Sequence, residues 1–131
     1  MKLLLDTHVW LWSRLSPRKV PRNVASALGK STNELWLSPV SIWEIMMLCR
    51  KGRLKLDPDP VQWVESALAV VPMREAPVTQ QVAMATRGIS LPHADPIDLL
   101  LAATANVYGL TLVTADEQLL SGRGYPVFGK R

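Results

Sequence analysis

Short continuous apolar runs alternate along the chain with longer stretches of helical periodicity. Lys2 to Asp6, carrying Leu3-Leu4-Leu5, and Leu110 to Thr114, carrying Leu112-Val113, are apolar on consecutive positions at their centres, the pattern of strands covered on both faces. Leu35 to Leu37 and Ala69 to Val71 predict two more strands, the second ended by Pro72, and Tyr125 to Phe128 adds a candidate fifth. Between them the periodicity predicts helices at His8 to Arg14, Arg22 to Lys30, Val61 to Leu68, Thr79 to Arg87 and Asp116 to Leu120. Two helices carry clear start signals. Ser38-Pro39 opens one that runs to about Arg50, and Asp95-Pro96 opens another that runs to about Tyr108; in each a capping side chain precedes a proline at the first helical position. Gly52, Gly88 and Gly109 punctuate the helix ends. Strands alternating with helices imply βαβ units. The expected fold class is α/β, a three-layer α/β/α sandwich on a central, mostly parallel sheet of four to five strands, with residues 1–131 as a single domain.

Four acids interrupt this pattern where burial is expected. Asp6 ends the first strand and Asp116 follows the strand ending at Thr114. Glu44 lies inside Val40-Ser41-Ile42-Trp43-Glu44-Ile45-Met46-Met47-Leu48, and Asp98 precedes Leu99-Leu100-Leu101. Carboxylates are costly to bury without a partner, and no lysine or arginine occupies a comparably buried position. Helix capping offers a local explanation for Asp6, Asp95, Asp98 and Asp116, but not for Glu44, which sits well past its helix's first turn. In parallel sheets the strand C-termini share one edge, and ligands bind outside it. That edge is expected to bring three of the four positions together. An oxygen-rich set of this kind suits Mg²⁺ or Mn²⁺ better than zinc. His8 reads as a surface or core histidine, and neither it nor His93 has a spacing that suggests a shared metal.

Composition sharpens the picture. The chain has 15 lysines and arginines against 11 acids, for a net charge of +4; with four acids sequestered, the remainder carries 15 bases against seven acids. A small acidic pit on a basic body suits a polyanion held by its phosphates and attacked at a metal. Arg18, Lys19, Arg22, Arg50, Lys51, Arg53, Arg123, Lys130 and Arg131 are the candidate phosphate contacts. The single cysteine, Cys49, excludes an internal disulfide and reads as a packed apolar residue. Asp6 interrupts the N-terminal apolar run, against a signal peptide, and the apolar Leu99–Ala115 stretch is broken by Asn106, Tyr108 and Gly109. The expected location is the cytoplasm, with no membrane partner.

Met1-Lys-Leu-Leu-Leu-Asp6-Thr7-His8, Val40-Ser41-Ile42-Trp43-Glu44-Ile45, Lys51-Gly52-Arg53-Leu54, Pro92-His93-Ala94-Asp95-Pro96-Ile97-Asp98 and Leu112-Val113-Thr114-Ala115-Asp116 together resemble a PIN-domain ribonuclease of the VapC toxin type. The resemblance spans nearly the whole chain in order and spacing. It implies a PIN-like fold and a Mg²⁺- or Mn²⁺-dependent endoribonuclease, the toxin of a type II toxin–antitoxin pair. It further implies that Asp6, Glu44, Asp98 and Asp116 form the catalytic metal site, with Asp95, Thr7 and Thr114 as auxiliary residues. The implied partners are RNA, a cognate antitoxin that sends a basic side chain into the acidic site, a second copy in a homodimer, and hetero-oligomers with the antitoxin. Trp10 or Trp12 is expected to offer the antitoxin an apolar groove. One departure is Leu99, where relatives with the Asp-Pro-x-Asp pattern commonly carry arginine. Two other readings compete. One is a catalytically silent binding module using the same pocket. The other is another Mg²⁺ phosphohydrolase, such as the haloacid-dehalogenase type, which wants a second aspartate where this chain has His8.

Overall fold

In a computed structural model describing residues 1–93 and 95–129, five strands form one sheet in the order β3-β2-β1-β4-β5, and every neighbouring pair is parallel. The strands are β1 (Lys2–Leu5), β2 (Glu34–Leu37), β3 (Arg74–Glu75), β4 (Thr111–Thr114) and β5 (Val127–Gly129). The helices are α1 (Thr7–Leu15), α2 (Arg22–Gly29), α3 (Pro39–Arg50), α4 (Pro60–Val70), α5 (Gln80–Ala85), α6 (Pro96–Tyr108) and α7 (Glu117–Leu120), with 3₁₀ turns at Pro17–Lys19 and Thr86–Gly88. Five strands and full parallelism lie at the upper end of the expectation. No helix among the described residues is long and apolar enough to cross a membrane.

The pleat of β1 explains the three layers. Leu3 and Leu5 face one side, where they pack with Val9, Trp10, Val24, Ile45 and Val64 from α1 to α4. Leu4 faces the other and packs with Leu101, Ala105 and Leu110 around α6. Side chains alternate across a strand, so three consecutive leucines seal both faces at once.

The third strand is not where the hydrophobic pattern puts it. Ala69 and Val70 belong to the last turn of α4, which Val64, Ala67 and Leu68 hold against the core while Val70 stays 75% exposed. Pairing with β2 falls instead to Arg74 and Glu75, two exposed residues matched to Trp36 and Leu37. Short charged edges of this kind discourage unwanted strand pairing. Here they carry no apolar signal.

Sheet order sets the site. From β1 the chain moves outward through β2 and β3, then crosses back to place β4 on the other side of β1. The crevice outside the C-termini of β1 and β4 is therefore a topological switch point. Closure of the far edge depends on Gly129. A Cβ there would run into the Thr114 carbonyl oxygen and come within 2.9 Å of Leu120 Cδ2. Gly129→Ala is expected to push β5 off β4 and lower stability by about 1–3 kcal/mol, measurable by urea denaturation. An unchanged midpoint and slope would contradict this packing.

Candidate metal centre

Asp6 continues the ladder beyond β1, its N–H donating to the Val113 carbonyl at 2.9 Å. The main chain then turns into α1, which puts Asp6 at the N-cap position. Its side chain makes no capping hydrogen bond. One carboxylate oxygen instead accepts from the Thr114 hydroxyl at 2.9 Å, and the residue is only 7% exposed. The same Thr114 oxygen accepts the Asp116 N–H at 3.0 Å, so one hydroxyl ties together the ends of β1 and β4. Asp116 and Asp95 do act as caps. Asp116 accepts from Gln118 N at 2.8 Å, and Asp95 accepts from Ile97 N and Asp98 N at 2.8 and 3.2 Å. Asp98, on the first turn of α6, does not close a capping box. Its Oδ2 meets His93 Nε2 at 3.0 Å.

Glu44 enters from α3. Ser38 caps that helix by accepting from Val40 N, and Thr7 donates to Ser41 Oγ at 2.9 Å in the buried seam between α1 and α3. Ser41 and Glu44 are three residues apart and share a helix face. Thr7 thus fixes the helix that carries Glu44 rather than contacting the cavity. That cavity, about 290 Å³, is lined by Asp6, Glu44, Asp95, Asp98 and Asp116, with His8, Trp12 and Ala115 completing the wall.

The cavity is electrostatically strained. Burial pushes the Asp6 carboxyl up to about 6, partly offset by the Thr114 hydrogen bond and the charge of His8, and reinforced by Glu44. Asp98 is also raised to about 6, first by desolvation and then by Asp95 and Asp6, with the His93 hydrogen bond opposing and Asp116 adding. Nearby Tyr125 is pushed up to about 12 by burial and by the charges of Asp98 and Asp116. Among the described residues no lysine or arginine forms an ion pair with any of these acids. Carboxylates crowded in one cavity without a lysine or arginine beside them are the donor set of a hard divalent cation. The residues present therefore fit such an ion.

Removing the shared hydroxyl tests this arrangement. Thr114→Val leaves a buried Asp6 oxygen and the Asp116 N–H without their partner. The expected loss is about 1–3 kcal/mol in urea denaturation of the ion-free protein at neutral pH. A neutral outcome would mean the hydroxyl positions nothing.

All four acids anticipated at the site line this cavity, as does Asp95. His8 also lies on its wall. His93 was not anticipated from its spacing, yet its imidazole lies against Asp98; the available signal was its place just before a capped helix, from which a loop folds back onto the first turn. Trp10, expected to be exposed, is wholly buried and packs edge-on against Trp63 at 5.7 Å; Trp12 is half-buried. Arg18, Lys19, Arg22, Arg50, Lys51, Arg53 and Arg123 are exposed and do not line the cavity. Lys130 and Arg131 lie outside the described residues.

An acid-lined cavity at the switch point of a five-stranded parallel sheet defines a class of α/β proteins, and comparison with known proteins narrows it. A family model described as PIN domain matches residues 3–122. The chain is 31% identical over 124 residues to Ribonuclease VapC22 of Mycobacterium tuberculosis (strain ATCC 25618 / H37Rv), with 92% of each covered. Similar solved structures include VapBC2 from Rickettsia felis bound to a promoter DNA fragment (TM-score 0.74, 15% identity, 98% of both chains). Another is FitAcB from Neisseria gonorrhoeae (TM-score 0.68, 24% identity, 96% of both). At these identities the structures testify to fold alone. The chain belongs to the PIN-domain family, and its match along most of a VapC ribonuclease places it with the VapC-type members.

Proposed function

We propose that this protein is a Mg²⁺- or Mn²⁺-dependent endoribonuclease, the toxin of a toxin–antitoxin pair, working in the cytoplasm with residues 1–131 as one domain. The observation that carries the reading is the meeting of Asp6, Glu44, Asp98 and Asp116, far apart in sequence, on one cavity whose wall, among the described residues, holds no lysine or arginine. The relative named a ribonuclease supports the choice of RNA.

Asp6 and Asp98 are the principal ligands in this reading, and Glu44 and Asp116 complete the set. When bound, the ion supplies Lewis-acid polarisation of a phosphodiester oxygen and a water of lowered pKa. The chain's own residues do the positioning. Thr114 orients Asp6, Asp95 holds the first turn of α6 that presents Asp98, and the Thr7–Ser41 bond steadies the helix bearing Glu44. The exposed bases outside the cavity hold the phosphate chain, a contribution that weakens with salt.

A cognate antitoxin is the proposed protein partner, together with a homodimer and hetero-oligomers. Two features support it: the acidic cavity suits an inserted basic side chain, and an apolar hollow of about 220 Å³ lies beside α3, between Leu37, Pro39, Ile42, Leu68 and Met73. Incubation with mixed structured and single-stranded RNAs is the direct test. Cleavage is expected with Mn²⁺ or Mg²⁺ and not with chelator; cleavage that persists in chelator, or no cleavage with either ion, would sink the proposal.

A further inference from the structure

We infer that the centre includes a nitrogen ligand, His93, which with Asp95 and Asp98 makes it select first-row transition ions over Mg²⁺. The inference deepens the proposed function and rests on its claim that the cavity takes a divalent ion.

The donor atoms of His93, Asp95 and Asp98 all lie within 4.8 Å of one another. The His93 Nε2 to Asp98 Oδ2 separation is 3.0 Å. Two donors at right angles, each about 2.1 Å from an ion, stand about 3.0 Å apart, so this pair already has the spacing of adjacent ligands. Without an ion the same contact is a hydrogen bond to the carboxylate. Ligation needs a neutral imidazole with its proton on Nδ1. That atom is buried and has no hydrogen-bond partner among the described residues, so the Nε2–H tautomer is held only by its bond to Asp98, which an ion taken up between the two would replace. A second observation independently calls for a cation in the same cavity: Asp6 is more than nine-tenths buried and no lysine or arginine pairs with it. Asp95 and Asp98 line the same cavity as Asp6, and His93 adjoins it through its contact with Asp98.

Ligand chemistry then sets selectivity. Mg²⁺ prefers oxygen and water, whereas imidazole binds readily to first-row transition ions. Mn²⁺ is the weakest binder of that series, which makes it a stringent probe as well as a paramagnetic one.

The test uses purified full-length protein. Mg²⁺ and Mn²⁺ are titrated by calorimetry, and the Mn²⁺-loaded protein is measured by electron spin-echo envelope modulation, which detects a directly coordinated ¹⁴N. His93→Gln is compared with wild type and with His8→Gln, because His8 is the imidazole on the cavity wall itself. Wild type and His8→Gln are expected to show the ¹⁴N modulation and His93→Gln to lack it. His93→Gln is further expected to weaken Mn²⁺ binding by about 10-fold or more, with a much smaller change for Mg²⁺. Wild type that binds Mn²⁺ without ¹⁴N modulation, or modulation that survives His93→Gln, overturns the nitrogen ligand and leaves the proposed nuclease standing. Failure of wild type to bind either ion overturns both.

Discussion

Asp6→Asn is expected to lower RNA cleavage by about 10³-fold or more while making the ion-free protein more stable at pH 7.5. The two effects have one cause. In the folded protein the Asp6 carboxyl is raised from 3.8 to about 6, mainly by burial, so at neutral pH the chain holds an ionised group that its surroundings disfavour. Two units of displacement correspond to about 3 kcal/mol, the upper limit of what removing the charge returns. Asparagine has nearly the same shape and still offers an oxygen to the Thr114 hydroxyl. It is a much poorer ligand for a hard divalent ion, and a loss of about 4 kcal/mol in transition-state stabilisation accounts for the rate effect. Added Mg²⁺ or Mn²⁺, which raises the melting temperature of wild type by binding only the folded state, should do so much less for the variant. Undiminished cleavage by Asp6→Asn would remove the centre of the proposal. A less stable variant would mean the carboxylate is a structural cap, a role its missing capping bond already argues against.

The placement of Asp6 shows why so much of this centre can be read from residues alone. Leu3-Leu4-Leu5 has to be a strand sealed on both faces, and an aspartate directly after it has to emerge at the strand's C-terminal end. Leu112-Val113-Thr114 makes the same argument for Asp116. Parallel pairing of Leu5 with Val113 then brings the two ends together. What the sequence hides is whatever depends on tertiary partners. The Ala69–Val71 segment is apolar enough for a strand, yet it prolongs α4 because the preceding turns are already docked. The real edge strand is two charged residues held by backbone pairing to β2. Trp10 shows the same limit: a tryptophan beside a polar site looks like a recognition surface until Trp63, 53 positions on by numbering, closes over it. His93 is hidden for a different reason. Its approach to Asp98 depends on how the loop before α6 folds back, a geometry with no periodic signature.

The second large effect concerns acidity. The ion-free protein is expected to be more stable at pH 5 than at pH 7.5, the reverse of a protein stabilised by paired carboxylates. The folded Asp6 keeps its proton up to about pH 6, whereas an unfolded aspartate gives it up near 3.8. Between those values the folded state binds more protons, so stability falls as pH rises through the window and stays low above it. At pH 5 Asp6 alone contributes about 1.4 kcal/mol relative to pH 7.5, or roughly 4–7 °C in Tm for a chain of this length. Asp98, displaced the same way by desolvation and by Asp95, Asp6 and Asp116, adds to the slope, while Thr114 and His8 at Asp6 and His93 at Asp98 temper it. A saturating divalent ion competes with those protons, so its stabilisation should be large at pH 7.5 and small at pH 5. Calorimetric melting at both pH values, with chelator and with Mg²⁺, reads all of this in four scans. Asp6→Asn should flatten much of the ion-free slope. If wild type with chelator melts at the same temperature at both pH values, burial is not charging Asp6 with the penalty on which the cation argument depends.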